Sequence, residues 1–312
     1  MQILFQSDIK EFSPCVATVG FFDGVHAGHR FLIEELKAIA TEQNLKSVVI
    51  TFAVHPRKIL NSDFQPQLLN TLTEKLDQLE STGVDTCIVL DFSSEMAQLS
   101  AYDFLKNILL DTYHVKKLLV GHDHRFGHNR TDGFPEYKKY GEMLSMEVIQ
   151  AQPYKTTQDN NICSSEIRLA IQQSEIERAN RLLGYSFSIS GKVIDGFRVG
   201  RKIGFPTANM QVLDADKLVP PLGVYAVRVF WKESIYSGMM NIGTRPTLAT
   251  DTHISLEVNI FDFDEDIYNQ TIKVEFIKKI RDEKKFNGVD ELVEQLKKDK
   301  QTVVEMNLNT KR

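Results

Sequence analysis

The chain has little cysteine: of its 312 residues only Cys15, Cys87 and Cys163 carry a thiol. They are odd in number, widely spaced and never in a CxxC pair, which argues against a disulfide framework and against a cysteine zinc site. Charge of one sign is also scarce. A formal net charge of −5 gives no support to a broad nucleic-acid or acidic-membrane surface, and no helix-turn-helix signal is present. Long apolar runs are missing as well. The amino terminus MQILFQSDIKEFSP is charged and has no apolar core, so it does not read as a signal peptide, and no stretch approaches the length of a membrane span. Low-complexity segments and short-period repeats are absent. What remains is ordinary globular composition, 42% hydrophobic and 25% charged, in a chain long enough for two cored domains. The expectation is a cytoplasmic protein with no nucleic acid and no membrane among its partners, either a monomer or a weak homo-oligomer.

The first half alternates apolar runs with helical patterns. Candidate strands are VATVG (16–20), SVVITF (47–52), TCIVLDF (86–92), KLLVG (117–121) and MEVIQAQ (146–152). Helical spacing falls near 29–43, 73–82, 101–111 and 135–144. Such βα alternation predicts a Rossmann-like parallel sheet flanked by helices, with ligands at the carboxyl ends of its strands. SSEIRLAIQQSEIERANRLLG (164–184) reads as one or two helices with serine caps, closed by Gly184. Beyond it, SFSISGKVID (186–195), VYAVRVFW (224–231), IYSGMMNIG (235–243), HISLEVNIFDF (253–263) and TIKVEFIKKI (271–280) are strand-like, predicting an antiparallel sheet or small barrel. A helix over 290–306, apolar at Leu292, Leu296 and Val303, ends the chain. The domain boundary is expected near Gly184–Tyr185, giving domains 1–184 and 185–312.

Chemistry concentrates first in GFFDGVHAGH (20–29), which lies between a strand and a helix. Free N–H groups and the positive dipole end at a helix start favour phosphate oxygens. Gly24 and Gly28 permit close backbone approach, and His26 and His29 add donors for charge developing on a phosphoryl group. The stretch lacks the Gly-Lys-Ser/Thr ending of a P-loop. Taken alone, it leaves open a surface or core histidine beside a turn. It is similar to the HxGH signature of the nucleotidylyltransferase superfamily, whose members transfer a nucleotidyl group by direct attack and release pyrophosphate.

The second concentration is GFRVGRKIGFPTANM (196–210). Gly196, Gly200 and Gly204 suggest a mobile backbone that wraps a phosphate, and Arg198, Arg201 and Lys202 supply charge. If PTAN (206–209) is extended, Thr207 and Asn209 point to one face with neutral oxygens that suit Mg²⁺. A turn with a capping Asn is the plainer alternative. In ISLEVNIFDF, Ile254, Leu256, Val258 and Ile260 alternate with Ser255, Glu257 and Asn259. Glu257 is therefore either a strand-borne base or one polar residue of an amphipathic strand.

With TFAVHP (51–56), VGHDHRFGHNR (120–130), the stretch at 92–110, ICSSEIR (162–168), NIGTRPT (241–247) and IRDEKKF (280–286), these motifs occur in one order. Together they resemble the prokaryotic bifunctional riboflavin kinase/FAD synthetase family over nearly the whole chain. The resemblance implies an α/β nucleotidylyltransferase domain that makes FAD from FMN and ATP. It also implies an antiparallel β-barrel riboflavin kinase domain, with a C-terminal helix, that makes FMN from riboflavin and ATP. It implies catalytic roles for His26, His29 and Glu257. Gly20, Phe21, Asp23, Gly28, Ser164, Ser165, Arg168, Gly200, Arg201 and Gly204 would contact ATP. Phe52, Asp123, Phe126 and Arg281 would lie on the flavin side, and Thr207 and Asn209 would hold Mg²⁺. From residues alone, ICSSEIR reads sooner as an ordinary helix cap with a solvated arginine. Three departures stand out: Cys163 replaces the first serine of a usual run, His124 a usual aromatic, and Asp132 a common glycine. Two competing readings follow: a kinase whose first domain no longer adenylylates, and a flavin-binding regulatory module without catalysis.

Overall fold

The structure is a computed structural model. It describes residues 1–8, 12–61, 63–122, 124–154, 162–196, 199–246 and 252–308. The predicted positions Asp123, Arg198 and Thr247 lie outside the described residues. The chain divides into two compact units, Met1–Ser164 and Ser165–Arg312.

In the first unit, β1 (Gln2–Phe5), β2 (Cys15–Val19), β3 (Lys46–Phe52), β4 (Thr86–Leu90), β5 (Val115–Val120) and β6 (Glu147–Gln150) form one sheet. Its order is β1-β4-β3-β2-β5-β6, and every pairing is parallel. The central strands feed two cores by strict alternation. Cys15, Ala17, Val48, Ile50, Ile88 and Leu90 enter one cluster, while Val16, Val49, Cys87 and Val89 enter the other. Strands buried on both faces read as continuous apolar runs, which explains why CVATV and TCIVL looked unbroken in the sequence. Each such Val, Leu or Ile contributes about 1.5–3 kcal/mol by leaving water.

Helix α1 (Ala27–Glu42) covers one face through Ile33, Leu36 and Ala40, and α2 (Leu72–Glu80) adds Leu79. The other face is covered by residues 104–112 and by α3 (Phe134–Met143). The segment Phe104–Thr112, predicted as helix by its 3.6-residue spacing, is π-helical, bonding from Tyr113 N–H to the Ile108 carbonyl. The wider turn keeps Phe104, Leu105 and Leu109 all buried, and apolar spacing alone does not distinguish it from an α-helix. The edge strand β1, three of its four residues exposed, gave no sequence pattern to find.

The second unit starts with α4 (Ser164–Gln172, whose first residue closes the other unit) and α5 (Ile176–Leu183). Gly184, left-handed at φ 80°, ends α5. Six strands then close a barrel: β7 (Ser188–Ile194), β8 (Ala208–Gln211), β9 (Gly223–Trp231), β10 (Ser234–Pro246), β11 (Thr252–Ile260) and β12 (Thr271–Arg281). Their order is β10-β11-β8-β7-β12-β9, antiparallel throughout. Tyr225, Val227 and Val229 are fully buried along β9. Val224 and Ala226, on its other face, pack with Val303 and Leu296 of α6 (Val289–Glu305). Two expectations need correction. The stretch read as a mobile wrap contains a helical turn, Val199–Lys202, because Phe205 N–H returns to the Gly200 carbonyl. Ile254, grouped by alternation with Leu256, Val258 and Ile260, is 55% exposed near the strand's beginning, while those three are buried.

Candidate active sites

In the sheet, β2 connects onward to β3 on one side and has β5 as its neighbour on the other. The order in which successive strands are added across the sheet therefore reverses between β2 and β5, and in open α/β sheets ligands bind at such a switch point, beyond the carboxyl ends of the strands. The loops after those two strands are 20–26 and 121–133, the two singled out from sequence.

His26 caps α1: its Nδ1 accepts from the His29 backbone N–H at 3.3 Å. A capping Nδ1 must be unprotonated, which leaves Nε2 as the donor of a neutral ring. The His26 and His29 rings stack with centroids 3.7 Å apart, and Phe22 meets His29 edge-on. Burial, and then the charges of His26, His124 and Lys75, hold the His29 imidazolium well below its ordinary range. Burial, then Arg130, brings His124 down to about 4. Nδ1 of His29 and Nε2 of His124 are buried without a protein partner. His29 and His124 are thus held neutral by burial, beside the capping imidazole of His26, so that ring N–H groups gather near a helix start where they can donate to phosphoryl oxygens.

The loop that carries them is strained and braced. Phe22 and Val25 hold φ of 54° and 35°, conformations that cost about 1–3 kcal/mol each for such side chains. Asp23 braces it from one side, its Oδ1 accepting from Leu69 N–H at 2.9 Å and Asn70 N–H at 3.2 Å. The Ser164 hydroxyl donates to the Asp23 carbonyl at 2.9 Å. Lys75 braces it from beneath, donating to the Phe21 carbonyl at 3.1 Å. Thus Asp23 and Ser164, expected to touch ATP, are engaged with protein in this structure. Gly20 begins the loop, and Gly28 lies against the His26 ring and the Ile162 carbonyl. Ser165 is exposed in the first turn of α4, and Arg168 follows one turn later.

On the expected flavin side, Phe126 is half-buried, stacked on Tyr137 at 4.1 Å and 6.0 Å from His124. Phe52 is buried, edge-on to Phe92 at 5.4 Å. Phe21 meets His55 edge-on at 4.6 Å. Asp132 reaches Tyr140 through its carboxylate and Tyr137 through its carbonyl. Cys163 is a half-buried free thiol just before α4, whereas Cys15 and Cys87 are buried thiols pushed up to about 12.

In the barrel, Asn209 lies directly opposite Glu257 in the β8–β11 ladder, and Asn241 lies opposite Glu257 in the β10–β11 ladder. Directly opposed residues share a face, so the three form a row across three strands. The Thr207 hydroxyl lies 3.5 Å from Glu257 Oε2, joining both expected metal residues to the expected base. Asn259, the next polar residue on β11, fixes the approach by donating to the Pro206 carbonyl at 2.6 Å. Two glycines are needed for close approach: a Cβ on Gly196 would run into the Asn209 amide, and one on Gly200 into the Phe205 carbonyl. A cleft of about 730 Å³ opens beside Asn209, walled by Ile194, Met210, Ile254 and Leu256 with Lys217 among its polar residues, a size typical of small-molecule sites. Arg201 is exposed on the helical turn, and Gly204 follows it at φ 81°. Arg281 is engaged with α6: Nε and Nη2 approach the Asp299 carboxylate at 3.0 and 2.9 Å, and Asp299 is 2% exposed.

Sequence reasoning passed over Lys75, Asn241 and Asp299. Lys75 falls between Leu72 and Leu79 on the buried stripe of α2, and Asp299 between Leu296 and Val303 on that of α6. A charge on an apolar stripe was the available signal.

The scaffolds are those of an enzyme with two parts, one a parallel α/β sheet of nucleotidylyltransferase type and one a closed antiparallel barrel. The FAD synthetase family model matches residues 8–166 and the riboflavin kinase family model residues 183–307. Curated proteins named bifunctional riboflavin kinase/FMN adenylyltransferase match along most of their length. The Bacillus subtilis protein is 39% identical, covering 95% of this chain and 93% of its own. The Listeria monocytogenes protein is 38% identical, over 92% and 90%, and that of Escherichia coli K12 is 38% identical, over 93% and 92%. A crystal structure from Streptococcus pneumoniae, described as a macrolide-efflux protein, superposes with a TM-score of 0.88 at 34% identity, over 97% of this chain and 99% of that one. Among the described residues no helix is long and apolar enough to cross a membrane. The chain belongs to the bifunctional riboflavin kinase/FMN adenylyltransferase family.

Proposed function

We propose that the chain phosphorylates riboflavin to FMN in its barrel and adenylylates FMN to FAD, with release of pyrophosphate, in its amino-terminal unit. The observation that carries this reading is the joint presence of both arrangements: the neutral imidazole pair at the start of α1 and the Thr207–Glu257–Asn209 group on the barrel face. The functional division is placed at Gly184–Tyr185, supported by the riboflavin kinase match beginning at residue 183.

In the barrel, Glu257 accepts the proton of the ribityl 5′-hydroxyl as that oxygen bonds the γ-phosphorus of ATP. The bridging bond to the β-phosphate breaks, and ADP leaves. Thr207 and Asn209 suit Mg²⁺ by donor chemistry. They offer neutral oxygens beside one carboxylate, and among the described residues no group of three acidic, histidine or cysteine ligands could build a protein-only cage. That donor set leaves positions for water and phosphate oxygens. When bound, the ion supplies charge neutralisation on the phosphates. Gly200, Arg201 and Gly204 line the nucleotide side.

In the amino-terminal unit, an FMN phosphate oxygen attacks the α-phosphorus of ATP and pyrophosphate departs. His26 and His29 donate N–H to the oxygens where charge grows, and water need not reorganise to do so. Gly20, Phe21, Asp23 and Gly28 shape the loop, and Ser164 braces it through its hydroxyl. Phe126 presents an aromatic face to the flavin. Phe52, buried beside Phe92, acts from within the wall. Arg281 serves the flavin side by anchoring the end of β12. The protein is assigned to the cytoplasm, which its three free cysteines support, as a monomer or weak homo-oligomer.

One coupled assay tests the whole: riboflavin with ATP and Mg²⁺, flavins separated chromatographically. FMN appearing first, then FAD with pyrophosphate, is expected. FMN without FAD would leave only the kinase half, and flavin binding without ATP consumption would reduce the protein to a binding module.

A further inference from the structure

Lys75 is 2% exposed and delivered by α2 to the underside of the strained loop. Its Nζ lies 3.1 Å from the Phe21 carbonyl, 3.1 Å from the Thr51 hydroxyl and 2.8 Å from the Phe52 carbonyl. It also sits 4.2 Å from the centre of the Phe21 ring. Three acceptors match the three protons of an ammonium. Two of them end β3 and one opens the 20–26 loop, so a single cation ties the carboxyl edge of the sheet to the segment bearing the histidines. The Thr51 hydroxyl is itself 3.1 Å from the Phe21 carbonyl, which closes the arrangement.

Burying a charge is costly, and a methionine could fill the same space without desolvation. Stability alone therefore does not account for a lysine here. We propose that Lys75 is a positioning residue for adenylyl transfer: acting through the Phe21 carbonyl, it holds the Gly20–His26 loop in the geometry that presents His26 and His29 to the phosphates. This rests on the adenylyltransferase reading of that loop.

The charged and titratable groups facing it are Asp23 from the loop, Cys87 from β4 and His29 from α1. Burial lowers the ammonium to about 8, with Asp23 and then Cys87 opposing the shift. Lys75 in turn is one of the charges that keep His29 neutral. A neutral amine has two N–H donors for three acceptors, so deprotonation loosens one tie.

The test follows FAD formation from FMN and ATP, and FMN formation from riboflavin and ATP, across pH 6 to 9.5 in the full-length protein. Wild-type kcat for FAD formation should fall above pH 8, towards about one-tenth of its plateau by pH 9, while FMN formation lacks that limb. Lys75→Met should lower kcat for FAD formation at pH 7 by about tenfold or more, lose the alkaline limb and keep FMN formation. A wild-type profile without the limb overturns the proposal, and this measurement needs no variant to fold. So does a Lys75→Met protein with normal FAD formation, or one in which both reactions decline equally. Wild-type protein that makes FMN but no FAD at any pH would instead remove the adenylyltransferase reading and this role with it.

Discussion

Replacing Glu257 by glutamine changes one oxygen to an amide nitrogen and little else. The strand pairings to Asn209 and Asn241 run through the backbone, and the amide oxygen still accepts from Thr207, which now lies 3.5 Å from Oε2. The side chain is half-buried outside the apolar alternation of Leu256 and Val258, so folding stability should change by no more than about 0.5 kcal/mol. Catalysis should respond very differently. An amide cannot take the ribityl proton, and general-base catalysis is worth about 10²–10⁴ in rate, or about 3–5 kcal/mol of barrier. Steady-state FMN formation should therefore drop by that factor in kcat, with the KM for ATP unchanged. FAD formation from supplied FMN, carried by the other unit, should stay at its wild-type rate. The assay is chromatographic separation of flavins from both reactions on one preparation, with a melting curve beside it. FMN formation within a few-fold of wild type would refute Glu257 as the base, and matched losses in both reactions would refute the separation of sites.

His124→Phe should make the first unit less sensitive to acid. His124 is held near 4 against an ordinary 6.5, so the unfolded chain takes up its proton first, and stability is lost as pH falls through 6.5. The cost is about 2 kcal/mol at pH 5, and an identical pH dependence of urea unfolding in wild type and variant would contradict this. Arg281→Met strands the Asp299 carboxylate, with Gln295 at 2.9 Å as a remaining partner. Denaturant unfolding of the second unit should show a loss of about 3–5 kcal/mol, largely restored by adding Asp299→Leu; no loss in the single variant would show the pair to be dispensable. Gly196→Ala forces a Cβ into the Asn209 amide. It should cut FMN formation by at least about tenfold, judged against cases where small misplacement costs 10²-fold, with FAD formation preserved; equal kinetics would mean the Asn209 position is not critical.

Much of this was legible in residue order. The apolar runs of β2 to β5, the glycine at the end of α5 and the alternation of Leu256 and Val258 each announce their element through one local rule. Strand alternation set Glu257 among the polar residues of β11, but Thr207, Asn209 and Glu257 could be singled out only because their motifs resemble those of the family. What was hidden depends on contacts distant in the chain. The engagement of Asp23 by residues 69 and 70, of Arg281 by Asp299, and of Phe21 by Lys75 leaves no trace in the flanking residues. The π-helical stretch at 104–112 has the same apolar composition as an α-helix and differs only in which carbonyl each N–H reaches. The helical turn at Val199–Lys202 sits among glycines that suggested freedom, whereas two of them serve to let backbone and amide crowd together.

The closed ring of the second unit has a consequence for how its chemistry is kept in tune. Asn241, Glu257 and Asn209 stand one per strand on neighbouring strands, about 4.7–4.9 Å apart. A circle of six strands offers no loose end where one member could slide to relieve a misfit. Substrates arriving there meet teeth already spaced, so the entropy of arranging them was spent when the polypeptide folded and need not be supplied at each turnover.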